Sequence, residues 1–275
     1  MKSTFKLSAA IVLCVAIVYS SCQKNQVNTT AAAKTTNMDA VASKIALSLS
    51  KSITGQYGGQ NINDGVKASN GLGSKKGPAI NGIYDICGVT IDTVYNTTTI
   101  SHDTTNVLTG HFNFVYTCGA AGLDGYNVMD SITVASANAT FFNTTTGVQK
   151  YIVKALDQQQ FKLISMDGSL SAKTHNSILV NGVTTEYHDF TSVYILNGVQ
   201  ANLSGVVGDL TTGTASYTST QVDVYPTNTT GIVTVYHGLI TYLGNHMATL
   251  TLQINNSGPV ANYSVNMLTG SITAI

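Results

Sequence analysis

Two histidines and a glutamate beside a predicted hairpin are the side chains in this sequence best placed to do chemistry. Asn181-Gly182 is flanked by alternating apolar residues, and this dipeptide is a strong local signal for a two-residue β-hairpin turn. Pairing outward from that turn places His175 opposite His188, with Glu186 one step along the same face. Two imidazoles and a carboxylate suit zinc or a similar divalent metal. The alternative is a polar strand face in contact with water.

The other face of the same hairpin is apolar, which indicates that it packs against a core. Its members are Ile178, Val180, Val183 and Tyr187. A second dipeptide of the same kind, Asn197-Gly198, predicts another hairpin connection further along the chain.

Motifs for other kinds of catalysis are absent from the sequence. It contains no GxSxG, SxxK or HExxH pattern. This absence favours a non-enzymatic role without a cofactor. A metal-dependent hydrolase that uses His175, Glu186 and His188 is the enzymatic alternative.

Cys87 and Cys118 are predicted to form a disulfide bond. They are the two cysteines that remain beyond residue 22, and such pairs form structural bridges in oxidising compartments. Apolar residues alternate with polar ones around each cysteine, which places both on the core-facing side of neighbouring strands.

The first 22 residues have the organisation of an export signal. Two lysines precede an uncharged apolar run, 7–18, whose length is typical of a signal peptide and too short to span a bilayer. Two serines then lead to Cys22. This ending resembles the lipobox of bacterial lipoproteins, in which the cysteine becomes the first mature residue and is acylated. Tyr19 stands where the family prefers an aliphatic residue, and relaxed lipoboxes of this kind resemble those of Bacteroidota lipoproteins.

The resemblance implies where the protein resides and what it contacts. An acylated Cys22, carrying chains such as palmitate, would anchor the exported chain to a membrane of the cell envelope. We expect the outer membrane, with the chain facing either the periplasm or the cell surface.

Charge excludes nucleic acid as a partner. The 13 basic residues are all lysine, and removing the two in the signal leaves 11 against 13 acidic residues. A protein that binds nucleic acid needs a clustered basic surface, which this composition does not provide.

The chain divides into five predicted segments. They are a signal peptide (1–21), a lipidated flexible tether (22–37), a helix (38–54), a glycine-rich linker (55–80) and an antiparallel β-domain (81–275). Apolar residues at spacings of three and four predict the helix, with Asn37 at its start and Gly55 after its end.

The β-domain is rich in threonine, valine, tyrosine and isoleucine in period-two stretches, separated by turn residues. Short connections predict a mainly β fold with an antiparallel meander of eleven or twelve strands. A sheet with so many strands must curl, close or split into two layers. We expect a strongly curved sheet or half-barrel with the helix on its concave side; a β-sandwich is the alternative.

Three functions are consistent with these observations. The first is a lipid-anchored envelope protein whose β-domain has a binding or structural role. The second is a carrier or sensor that holds an apolar ligand in the half-barrel. The third is the metal-dependent hydrolase.

Overall fold

Eleven β-strands and one α-helix make up most of the residues that the structure describes. The computed structural model of the protein describes residues 37–57, 61–64, 87–158 and 160–275. The predicted signal peptide, Cys22 and nearly all of the tether therefore lie outside the described residues, as does most of the predicted linker. The elements are α1 (Met38–Ile53), β1 (Thr90–Ser101), β2 (Thr104–Gly119), β3 (Gly122–Ala137), β4 (Phe141–Ala155), β5 (Leu163–Val180), β6 (Val183–Asn202), β7 (Asp209–Tyr225), β8 (Asn228–Gly244), β9 (Met247–Ile254), β10 (Val260–Asn266) and β11 (Ile272–Ala274).

The strands form one antiparallel sheet in chain order, from β1 to β11. Each strand pairs with its neighbour in the sequence, because the connections are too short to reach any other strand. β1 and β11 do not pair with each other, so the sheet is open. The predicted meander is confirmed, and the described strands do not divide into the two layers of a sandwich.

The two Asn-Gly dipeptides have different roles. Asn181 and Gly182 form the turn between β5 and β6, with φ angles of 52° and 77°. Positive φ at both positions is what a two-residue hairpin turn of this kind requires. Asn197-Gly198 lies inside β6, at a shift in its register with β7, so the predicted hairpin there is wrong and the dipeptide forms a β-bulge.

Side-chain alternation gives the sheet two different faces. On β6, Phe190, Ser192 and Tyr194 are buried, whereas Val193 and Ile195, at alternating positions, are exposed. The Tyr194 hydroxyl donates a hydrogen bond of 2.8 Å to a carbonyl of α1. We call the face that contains Tyr194 the inner face and the opposite one the outer face.

Helix α1 packs a wide stripe of side chains onto the inner face. Its buried residues recur at spacings that place them on one side of the helix, and they are Val41, Ala42, Ile45, Ala46, Ser48, Leu49, Ser52 and Ile53. Half of them are the small residues Ala42, Ala46, Ser48 and Ser52. At its C-terminal end, Gly55 has a φ of 67°, and the amides of Gly55 and Gln56 bond to the carbonyls of Ser52 and Lys51. This Schellman motif ends the helix where the sequence predicts.

The contacts of α1 require the sheet to curve. Ser43 donates a hydrogen bond to the carbonyl of Gly270, just beyond β10, at 2.7 Å. The ammonium of the next residue, Lys44, lies 4.0 Å from the centre of the Phe190 ring on β6. Four strand spacings separate β6 from β10, about 19 Å on a flat sheet. A helix about 10 Å wide reaches both strands only if the sheet curls around it, so the predicted curvature is confirmed.

Part of the predicted linker is packed rather than exposed. Ile62–Asp64 forms a short 3₁₀ helix, and the side chain of Ile62 is buried. The Asn63 side chain accepts a hydrogen bond of 2.6 Å from the amide of Gly208, in the β6–β7 connection. Ile62, in a polar, glycine-rich stretch, therefore acts as an anchor point on the sheet.

The disulfide between Cys87 and Cys118 is confirmed, with the two Cα atoms 5.6 Å apart. It joins the residues just before β1 to the end of β2. Both cysteines are exposed, so their predicted position on the core-facing side is wrong. A register shift between Thr117 and Cys118 interrupts the alternation that places Tyr116 in the core.

The described residues contain no helix with the length and apolar character to cross a membrane. Helix α1 has 16 residues, among them two lysines and an aspartate.

Truncation of Leu49, which is fully buried on α1, should test how much the helix contributes to stability. We expect Leu49→Ala to lower the free energy of unfolding by about 2–5 kcal/mol, because it leaves a cavity between helix and sheet. Leu243→Ala is the matched control, since Leu243 is 56% exposed on the outer face, and we expect it to cost about 1 kcal/mol or less. Urea unfolding followed by circular dichroism measures both; equal losses would contradict this account.

Buried tyrosines should make the fold sensitive to alkali. Burial raises the pKa of Tyr194, Tyr217 and Tyr242 above the ordinary tyrosine value. The folded state therefore keeps these protons above about pH 10, where the unfolded chain releases them, and stability falls as pH rises. Each tyrosine contributes a slope of about 1.4 kcal/mol per pH unit.

The chain has 14 tyrosines and no tryptophan, so tyrosinate absorbance is a clean signal. We expect the absorbance of the buried tyrosines to rise in the same transition in which circular dichroism reports loss of the strands. Ionisation of all tyrosines before any loss of structure would contradict this expectation.

Candidate functional site

A β-bulge in the β5–β6 hairpin separates the histidines that the sequence predicts to pair. Val180 pairs with Val183 and Leu179 with Thr184 as expected, but the register shifts between Leu179 and Ile178. Beyond the shift, His175 pairs with Asp189, and His188 pairs with Asn176. Since neighbouring residues on a strand point to opposite faces, His175 and His188 lie on opposite faces of the sheet. The predicted cluster of His175, Glu186 and His188 does not form.

The prediction that the apolar face of this hairpin packs against a core is also wrong near the turn. Ile178, Val180 and Val183 are 49%, 53% and 65% exposed. Among the described residues, the buried core therefore does not extend to the tip of this hairpin.

His188 lies on the inner face between two carboxylates. Its Nδ1 atom is 2.6 Å from Oδ1 of Asp223 on β7, and its Nε2 atom is 2.8 Å from Oε1 of Glu186. The side-chain amide of Gln221 donates to the other oxygen of Asp223 at 2.6 Å. We call Glu186, His188, Gln221 and Asp223 the His188 cluster.

The electrostatics of the His188 cluster favour a structural role. An imidazole donates to both carboxylates at once only when both of its nitrogens carry hydrogen. A cation between two anions is then fully satisfied, and the half-buried carboxylates gain charge-assisted hydrogen bonds. The Tyr225 ring packs edge-on against the imidazole, with ring centres 5.3 Å apart. The cluster thus ties β6 to β7 where the cover of α1 ends.

His175 belongs to a separate group on the outer face, made of Phe142, Lys173, His175, Tyr187 and Asp189. Nδ1 of His175 is hydrogen-bonded to Asp189, whose second oxygen is 3.8 Å from the Lys173 ammonium. The imidazole lies between two rings, with its centre 5.9 Å from that of Phe142 and 5.6 Å from that of Tyr187. We call this group the His175 cluster; its contacts are cross-strand pairs of the kind that stabilise a sheet.

Neither cluster has the geometry of a metal or nucleophilic site. In the part of the chain that the structure describes, no group of three or more His, Cys, Asp or Glu side chains is arranged to hold a metal ion. Both nitrogens of His188 contact carboxylates, so it activates no hydroxyl or thiol in this arrangement.

Asp189 and Asp223 are the partners that sequence reasoning missed. Asp189 directly follows His188 in the chain, but alternation alone gives no reason to pair it with His175. Asp223 lies 35 residues from His188, and the pairing of β6 with β7 brings them together.

The core beside α1 has little empty space. Of the two best-formed cavities lined by described residues, the larger has a volume of about 20 Å³ and lies between α1 and the ends of β7–β10. Its walls include Ile53, Ile62, Leu210 and Met267. This space holds roughly one water molecule, whereas sites for small-molecule ligands are about 300–1,000 Å³.

Replacement of His188 should destabilise the fold more than replacement of an exposed histidine. We expect His188→Ala to lower the free energy of unfolding by about 1–3 kcal/mol, because the half-buried Asp223 and Glu186 lose their shared donor. His111→Ala is the control, since His111 and its partner Asp92 are both about half exposed, and we expect a loss of about 0–1 kcal/mol. Urea unfolding at neutral pH compares the two; equal effects would show that the His188 cluster adds no stability.

Comparisons with protein-family models, with curated protein sequences and with solved structures find no match for this chain.

Proposed function

We propose that this protein is a lipid-anchored protein of the cell envelope, and that its β-domain has a non-enzymatic binding or structural role. The observation that supports this most directly is the position of α1. The helix fills the inner face of the curved sheet, which is the place where a carrier would hold an apolar ligand.

The contacts of α1 argue against displacement of the helix by a ligand. Ile45 and Leu49 are fully buried, the Tyr194 hydroxyl bonds to the Ile45 carbonyl, and Gln149 of β4 bonds to the Ser52 carbonyl. Buried leucine and isoleucine side chains stabilise a fold by about 1.5–3 kcal/mol each. A ligand that replaced the helix would have to compensate for all of these contacts.

The outer face is the surface on which a binding role would depend. Its aliphatic side chains are exposed on alternate strands, with serines between them: Val148 and Val193 flank Ser171, and Ile195 and Leu239 flank Ser216. Exposed apolar side chains spread over several strands are typical of interaction surfaces. None of these six residues is charged, so this part of the outer face would recognise a partner by shape and small polar groups rather than by charge.

The anchor is the part of the proposal that the sequence supports. Residues 1–22 resemble a lipoprotein signal ending at Cys22, and polar residues follow before α1 begins. Two or more acyl chains at one cysteine would hold the protein firmly on a membrane, since each buried CH₂ contributes about 0.8 kcal/mol.

Native mass spectrometry of the exported full-length protein tests both parts together. We expect a mass equal to residues 22–275 plus covalent acyl chains at Cys22, with no bound apolar ligand and no metal. The Cys22→Ser variant should lose the acyl chains and leave the membrane fraction. An unmodified N-terminal peptide would refute the anchor, and a stoichiometric apolar ligand or metal would favour the carrier or the hydrolase.

A further inference from the structure

The two edges of the sheet are unequal. β11 has three residues, and the strands shorten toward it from 17 residues in β8 to 8 in β9 and 7 in β10. Short edge strands are a common protection against pairing with other chains. β1 lies at the other edge with 12 residues, TIDTVYNTTTIS, and no strand that the structure describes covers its open side.

The composition of β1 suits further strand pairing. Its residues include no proline or lysine, which are usual edge protections, and eight of the 12 are β-branched. Asp92 is its single charged residue. An exposed edge with these properties is a template for another strand.

The register with β2 determines which backbone groups face outward. The amide of Tyr116 bonds to the carbonyl of Val89, so odd-numbered residues of β1 face β2. The even-numbered residues therefore direct their N–H and C=O groups to the open side. Their side chains lie on the outer face, where Val94 and Ile100 are each 74% exposed.

The edge is held in place before any partner arrives. All 12 residues of β1 pair with β2, and the Cys87–Cys118 disulfide ties the chain just before β1 to the end of β2. A strand fixed in its bound conformation loses little conformational entropy on pairing, which favours association.

We propose that β1 pairs antiparallel with β1 of a second copy of this chain, around a two-fold axis perpendicular to the sheet. Strand addition takes its affinity from backbone bonds and its sequence specificity from pockets for alternate side chains. Neither of the two best-formed cavities lined by described residues includes a residue of β1, so neither would act as a pocket that selects a foreign sequence at this edge. The inference goes beyond the proposed function and does not depend on it.

The same edge is complementary to itself. Outward-facing residues must lie opposite outward-facing residues, so an even-numbered position pairs with an even-numbered position. The two registers with the greatest overlap centre on Tyr95 or Asn96. Asp92 then lies opposite Thr98 or Ile100 of the other copy, so the pairing brings no like charges together. Two-fold pairing also closes the assembly at two copies.

Analytical ultracentrifugation of the exported chain with Cys22→Ser tests the proposal without interference from acyl chains. We expect a monomer–dimer equilibrium that the double substitution Val94→Lys/Asn96→Lys weakens by at least roughly tenfold, since either register then places a lysine opposite a lysine of the other copy. Val193→Lys is the matched control, because it adds a lysine to the outer face on the central strand β6, and it should leave the equilibrium unchanged. A wild-type chain that stays monomeric, or equal weakening by the control, would overturn the proposal.

Two further measurements identify the strand and its orientation. Hydrogen exchange should protect the amides of Val94, Asn96 and Thr98 in the dimer and release them in the double lysine variant. Asn96→Cys should cross-link two copies, whereas Thr90→Cys, far from the axis, should not. Protection of these amides in a monomer would mean that the same chain covers the edge, which also refutes the proposal.

Discussion

The burial of α1 against the inner face of the sheet is the interaction on which the rest of this structure depends. An open antiparallel sheet with one apolar face needs a second layer, and here a single 16-residue helix supplies it. Because one helix is narrow, the sheet curves until strands as far apart as β6 and the end of β10 both reach it. The same packing occupies the concave side, so the outer face and the edge of the sheet are the surfaces on which the proposed binding role would depend.

Polar side chains form a cluster where the buried part of the inner face ends. The His188 cluster lies on the inner face beyond the most deeply buried residues of β6, where solvent reaches one side of each group. The tip of the β5–β6 hairpin extends still further, and its valines and isoleucine are exposed. Polar side chains at such a boundary provide one another with hydrogen-bond partners that apolar neighbours would not supply. The hydrogen bonds of the His188 cluster join neighbouring strands.

The two edges of the sheet differ in the length of the edge strand and in how it is held. Toward β11 the strands shorten, and the turn before β11 meets α1 through Ser43. Toward β1 the strand remains long, and a disulfide fastens its start to β2. An edge that is both long and fixed is the feature by which a second chain could extend the sheet. In the proposed envelope protein, copies that share one membrane would meet at raised local concentration.

The sequence by itself determined the elements: the helix with its glycine end, the meander, the disulfide and the Asn181-Gly182 turn all follow from local periodicity and turn chemistry. Tertiary structure decided which side chains meet. One extra residue at the bulge beyond that turn moves His175 to the face opposite His188, because side-chain direction alternates with every residue. A similar Asn-Gly pair became a bulge inside β6 because its flanks continue pairing with β5 and β7. Register depends on the packing of both faces at once, which no local stretch of sequence contains.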